Sequence, residues 1–513
     1  MTIPNTLRFS LFDFPRSRAF GRVLLSALVL GTFLFGGTLL SAAEPQAFDY
    51  GSDPMRYLKN DRVTLGIDLS IGGAITWLSD EANGGENMIN SVDWGRQIQL
   101  SYYSGPIPYI GPNGEQPNDA WRNLGWNPIQ SGDYGGYRSR VIAFKPMGKN
   151  KMRVRTIPML WPNSNLPAEA IFECVYTLTP YGFILDATIE NSRSDTTQYP
   201  AMRQEMPAIY TNGPWYKLVT YLGTEPFQKK PVTVLIDKAD GRGWPWINYY
   251  APERWSALVN DDGMGLGVFQ QESVRITAGF FGGDGLKGVG GPKDAQTGYI
   301  APISTMILDH NMKRTYRAVF IVGSVDEIRS RVYKLAKKSL SEIPDWIFDG
   351  DRHNWIYEGS AKDDGYPIDK SLDISFEGSP RGGINSPETF WIAEQAPVLE
   401  IDAALSVEGA VPGRTDELTV YIAPVSPRDM VDDMKWPLNP EQEKEKAEKA
   451  KKYPVLPALE VKVPIAVDGT RGVWRVDLRG CEGYTGPMKA ISVGLPASKG
   501  SMKLYEIRFR RDD

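Results

Sequence analysis

The chain has 513 residues, 42% hydrophobic and 23% charged, which is ordinary globular composition but too long for one hydrophobic core. With 57 Lys and Arg against 62 Asp and Glu its formal net charge is -5, which gives no obvious attraction to nucleic acid, and none is expected as a partner. Its aromatic share is 11%, with 14 Trp and 24 Tyr: either filling for β-sandwich cores or faces on which sugar rings stack.

Arg16, Arg18 and Arg22 precede the apolar stretch Val23 to Leu40, and Ser41-Ala42-Ala43 follows with the small residues a signal peptidase requires. Residues 1–43 therefore read as a signal peptide, and the protein is expected to be secreted or periplasmic, without stable membrane insertion after cleavage. Cleavage also removes Arg8, Arg16, Arg18, Arg22 and Asp13, which makes the mature chain more acidic still.

From Arg62 to about Val322 the pattern is strand and turn. "RVTLGIDLSIGGAITWLSD", "MRVRTIPML" and "AIFECVYTLTPYGFILDATIEN" alternate apolar and polar residues, the last with a hairpin turn at Pro180-Tyr181-Gly182. "RWSALVNDDGMGLGVFQQ" places Asp261-Asp262-Gly263 between two apolar runs, a second hairpin. "TYRAVFIVGS" reads as a buried strand. A helix over Val325 to Lys338 is expected next, with Ser324 and Glu327 as a capping box and Ile328, Val332 and Leu335 at helical spacing.

"SEIPDWIFDGDRHNWIYEG" shows no period. Seven short alternating runs then follow: "SLDISFEG", "PVLEIDAALSV", "ELTVYIAP", "LEVKVPIAV", "GVWRVDLRG", "MKAISVGLP" and "MKLYEIRFR". The fold class is all-β: a large antiparallel β-sandwich over 44–340, then a smaller β-sandwich or jelly roll over 341–513 with a charged insertion at 439–452. That insertion, "NPEQEKEKAEKAKK", has no apolar face and reads as an exposed helix or a flexible segment.

Cys174 and Cys481 are the two cysteines, read as buried free thiols although a disulfide stays open. His310 and His353 are too few for a multi-histidine zinc site, and neither a metal nor a cofactor is expected. "NDDG" and "KDDGYP" read as turns, not calcium loops. "GFFGGDGLKGVGGPKD" is glycine-rich with no helix after it, which suggests a mobile loop beside a cleft and not a phosphate cradle.

Three polar and aromatic clusters interrupt the apolar strands of the first domain. "INSVDWGRQIQLSYYSGP" carries Arg96, Gln99, Tyr102 and Tyr103; "YPAMRQEMPAIYTNGPWY" carries Arg203, Gln204, Glu205, Tyr210 and Trp215; "YYAPERWSALV" carries Glu253 and Trp255, with Tyr299 nearby in "TGYIAP". Buried polar groups need partners, and a hydroxyl-rich guest could supply them. The alternative for Arg203 and Glu205 is a mutual salt bridge bracing the sandwich.

The order Gly72-Gly73, Asn87, Asp93, Gly95-Arg96, then the hairpin ending at Asn191 and a polar pair on the next strand resembles galactose mutarotase-like proteins. This is the superfamily of aldose 1-epimerases, which also supplies domains to polysaccharide lyases and glycosidases. The resemblance spans about residues 63–322 and implies a sugar-contacting role for Arg96. The sequence departs from it where the family's catalytic histidine would stand, since Gln204-Glu205 occupy that ground, so epimerase activity is not expected.

The residues then leave two chemistries open. Glu205 and Glu253 could be a carboxylate pair for glycoside hydrolysis. Alternatively Tyr102 or Tyr210 could abstract a proton next to a uronate carboxyl neutralised by Arg96 or Arg203, as in a polysaccharide lyase. The expected binding residues are Arg96, Gln99, Tyr102, Tyr103, Arg203, Gln204, Trp215, Trp255 and Tyr299, the catalytic ones Glu205, Glu253 and Tyr210, and the partner a polysaccharide or oligosaccharide. The competing reading is a non-catalytic carbohydrate-binding or envelope scaffold protein. The second domain's pattern resembles carbohydrate-binding modules.

Overall fold

Among the described residues the alternating runs fold into four antiparallel sheets. The structure is a computed structural model and describes residues 45–237, 246–282, 291–336, 343–431, 433–434 and 440–511. The segment expected to be a signal peptide, the middle of the glycine-rich stretch and the end of the expected helix lie outside these. Residues Gln46–Asp513 form one compact unit.

The first of the large sheets has eleven strands among the described residues. Its middle runs Ile98–Ser101, Met202–Asn212, Thr297–Met306, Arg275–Phe281 and Ile247–Tyr250, each antiparallel to the next. The second has nine strands among the same residues, and in it Ala170–Thr179 and Gly182–Asn191 form the expected hairpin. Gly182 is required at that turn: its φ is +154°, and a Cβ there would sit 1.9 Å from the Phe320 carbonyl oxygen.

Period-two alternation gives both sheets an apolar inner face. Leu65, Ile98, Leu100, Met206, Ile209 and Ile276 from the first meet Phe172, Phe183, Leu185, Val268 and Phe320 from the second in one core. Burying each such side chain stabilises by about 1.5–3 kcal/mol relative to exposure. On the far side of the second sheet, helix α1 (Val325–Leu335) starts with both bonds of the Ser324–Glu327 capping box. It sets Ile328 and Val332 against Trp255, Ala257 and Ile321.

All seven runs predicted after residue 370 are strands, in two six-stranded sheets around a second core. The aperiodic stretch before them also enters this sandwich, as strands Asp345–Ile347 and Ile356–Glu358, with Trp346, Phe348 and Trp355 in the core. The charged insertion is helix α2 (Pro440–Lys452), which buries no residue. Both cysteines are free; Cys174 is buried, but Cys481 is only half-buried, against the expectation of two buried thiols.

Several contacts tie the sandwiches together, among them a strand pairing and a buried ion pair. Asp433–Met434 pairs with Ile247–Tyr250, so the second half of the chain adds a strand to the first sheet. Elsewhere Arg352 donates three bonds to Asp363, at 2.7 and 2.9 Å from one nitrogen and 3.1 Å from another, and lies 2.6 Å from Asp309. "KDDGYP", expected to be turn chemistry alone, thus contributes a buried ion-pair partner.

Candidate functional site

The outer face of the first sheet, turned away from the core, gathers most of the polar residues singled out by sequence. Arg203 and Glu205 point outward from Met202–Asn212 while Gln204 and Met206 are buried behind them. A register shift follows between Glu205 and Ile209, across Pro207, which has no N–H to give a ladder. The extra residue reverses the alternation, so Ala208 and Tyr210 face outward and Ile209 inward, and Tyr210 joins the side that holds Glu205.

Glu205 is half-buried and bracketed by phenols. Tyr103 donates to its Oε2 at 2.9 Å, and Tyr299 donates to its Oε1. Ser101 in turn donates to Tyr103 at 3.1 Å. Tyr210 lies against Tyr299 with ring centroids 4.9 Å apart, and Trp246 stacks on Tyr299 from the other side, also at 4.9 Å. Burial, reinforced by the Glu205 charge, pushes the Tyr103, Tyr210 and Tyr299 hydroxyls above the ordinary phenol range, so all three hold their protons.

Arg203 does not pair with Glu205. Its Nη1 donates to Asn248 Oδ1 at 3.0 Å, so the mutual salt bridge is absent. Burial, then the like charge of Arg275, pulls its guanidinium down to about 10, and it still carries its charge at neutral pH. Arg275 is held by the second sandwich, bonding to Glu388 and, at 2.7 Å, to Asp429. Burial works to raise Glu388, but Arg275 outweighs it and holds that carboxyl down to about 2. Tyr250 and Val274 pack there with Phe390, Val425 and Met430, so the second sandwich borders this end of the face.

Arg96 stands towards the other end, half-buried, donating to the Ala295 carbonyl at 2.7 Å and pairing with Asp93 at 3.4 Å.

The remaining expected residues are closed off or lie elsewhere; Gln99 shares the outer face, opposite Ala208, but is buried. Gln204 is fully buried and completes the sheet, accepting from the Tyr103 backbone N–H at 2.7 Å and donating to the Tyr103 carbonyl at 2.9 Å. Gln99 is closed onto Ser131 and the Trp94 carbonyl. Tyr102 and Trp215 are core residues between the sheets. Trp255 is under helix α1 on the outside of the second sheet, and its indole N–H donates to Glu253 at 2.8 Å. Glu253 is 0% exposed and accepts from Arg329 at 2.8 Å, Tyr333 at 2.7 Å and the Phe227 backbone at 2.8 Å. The expected carboxylate pair of Glu205 and Glu253 is therefore not assembled: the two belong to the outer faces of opposite sheets.

Trp246, Asn248 and Arg275 join the site without having been singled out. Their signal was alternation: Trp246, Asn248 and Tyr250 in "WINYY", and Arg275 and Thr277 in "RITAG", each fall on one face of a strand. A cavity of about 290 Å3 elsewhere, lined by Arg62, Tyr181, Glu327 and Lys334 among others, shares no residue with this face. Among the described residues no cluster of His, Cys, Asp and Glu could hold a metal ion, and no helix is long and apolar enough to cross a membrane.

The resemblance to galactose mutarotase-like proteins extends to solved structures. A galactose mutarotase-like protein from Lactobacillus casei matches at 12% identity, covering 52% of this chain and 99% of that one, with a TM-score of 0.34. One from Clostridium acetobutylicum matches at 9% identity over 52% and 95%, with a TM-score of 0.34. The 4-alpha-glucanotransferase of Thermococcus litoralis matches at 12% over 54% of this chain and 39% of its own, with a TM-score of 0.31. No family model matches the chain. No curated protein sequence matches it.

Proposed function

We propose that this is an exported carbohydrate-active protein that holds a polysaccharide against the outer face of the first sheet and cleaves it, as a glycoside hydrolase or a polysaccharide lyase. The observation that carries the reading is Glu205, a half-buried carboxylate aimed by two phenol hydroxyls among the rings of Tyr210, Tyr299 and Trp246. Aromatic faces suit pyranose rings, and a positioned carboxylate is a proton acceptor. Tyr210, with its hydroxyl held protonated, suits proton donation better than abstraction. Export is supported by the Arg-flanked apolar segment and small-residue end of residues 1–43.

Glu205→Gln tests the reading. Turnover of a polysaccharide panel should fall by about 10²- to 10⁴-fold while retention on the same glycans persists; unchanged turnover refutes the role of Glu205. A second reading, a non-catalytic carbohydrate binder, is favoured by one observation: both Glu205 oxygens already accept bonds within the protein. It predicts retention without turnover in the wild type. An envelope scaffold predicts neither.

A further inference from the structure

Donors outnumber acceptors at one spot on the outer face. Asn248 Oδ1 accepts from Arg203 at 3.0 Å and from Thr277 at 2.6 Å, and these two donors fix which end of the amide is oxygen. The other end, Nδ2, is buried without a partner on a residue only 8% exposed. Arg203 beside it has no carboxylate within ion-pair reach among the described residues. Glu205 on the same strand is taken by Tyr103 and Tyr299, and Arg275 takes Glu388 and Asp429. Glu388 and Asp433 lie near enough to act on the Arg203 charge but do not bond to it.

A buried amide N–H2 with no acceptor is costly in a folded chain, and so is a half-buried guanidinium bonded to one neutral oxygen. Both costs vanish if an oxyanion fills the place. A planar carboxylate suits it, because the Arg fork can give two parallel bonds and the amide a third. We propose that Arg203 and Asn248 form a carboxylate subsite, so that the glycan held on this face is acidic and carries uronic acid residues. This rests on the glycan reading above and adds the charge class of the ligand.

The test is calorimetric titration of the full chain with oligogalacturonate, oligoalginate and oligoglucuronate, each against its carboxyl-reduced counterpart, with a sulfated neutral oligosaccharide as a further arm. At least one uronide should bind the wild type about tenfold to a hundredfold more tightly than its reduced form, and Arg203→Gln should erase that difference while leaving the reduced form's affinity in place. Arg203→Lys should recover part of it as a point charge. Circular dichroism establishes that the variants are folded. Equal binding of uronides and reduced forms overturns the carboxylate subsite alone, as does a preference for the sulfated arm or an Arg203→Gln variant that keeps the uronide preference. Absence of binding in every arm overturns the glycan reading together with it.

Discussion

Replacing Arg352 by Ala should unlock the junction of the two sandwiches. Arg352 is 2% exposed, and its removal deletes three directed bonds to Asp363 and the 2.6 Å approach to Asp309, which is an ion contact outside hydrogen-bond geometry. Asp363 would keep only neutral donors, Tyr357 at 2.6 Å, the Gly365 N–H at 3.0 Å and Gln198, and two carboxylates at 3% and 6% exposure would share the place without a cation. Breaking a buried pair in this way costs about 3–5 kcal/mol. Equilibrium denaturation at neutral pH should show that loss. The sign with pH follows from Asp363: burial works to raise its carboxyl, but Arg352 and the surrounding donors outweigh burial and hold it below the ordinary value. Its contribution is therefore present above the unfolded carboxylate pKa, about 3.9, and is lost as pH falls through the lower folded value. The gap between wild type and variant should close below about pH 4. A neutral-pH loss under about 1 kcal/mol would refute the view that this cluster holds the sandwiches together.

Glu253→Gln should cost about 3–5 kcal/mol, because an amide N–H2 would face a ring of donors and leave Arg329 without its buried counter-charge. Glycan retention of the folded variant should match the wild type; selective loss of retention at unchanged stability would place Glu253 in the site after all. Burial pushes the Cys174 thiol up to about 12, so only Cys481 should react with a thiol reagent in the native protein, and two fast thiols would contradict the strand placement of Cys174.

Alternation made the strands legible, and turn chemistry placed both hairpins, because a sheet with one face on a core writes its period into the sequence. The stretch "SEIPDWIFDGDRHNWIYEG" was not legible, since strands three residues long carry too few positions to show a period. The site was half legible. Arg203, Glu205, Tyr103, Tyr210 and Tyr299 converge because neighbouring strands present them on one face, whereas Trp255 and Glu253 share the composition of a sugar site but serve helix α1. Nothing local distinguishes the two uses of Trp beside Glu; the difference lies in which side of which sheet the strand turns outward. The bulge at Pro207, which brings Tyr210 to the side of Glu205, could not be read either, because strict alternation puts those two residues on opposite faces.

The most direct measurement is affinity electrophoresis of the wild type and Trp246→Ala through gels containing a panel of polysaccharides. Trp246 stacks on Tyr299 at the Glu205 cluster and is half-buried, so it can offer a ring to a sugar without being part of either core. At least one polysaccharide should retard the wild type, and the variant should bind it about threefold to tenfold more weakly. Equal retardation of the two proteins, or free migration of the wild type in every gel, would contradict a glycan bound on this face.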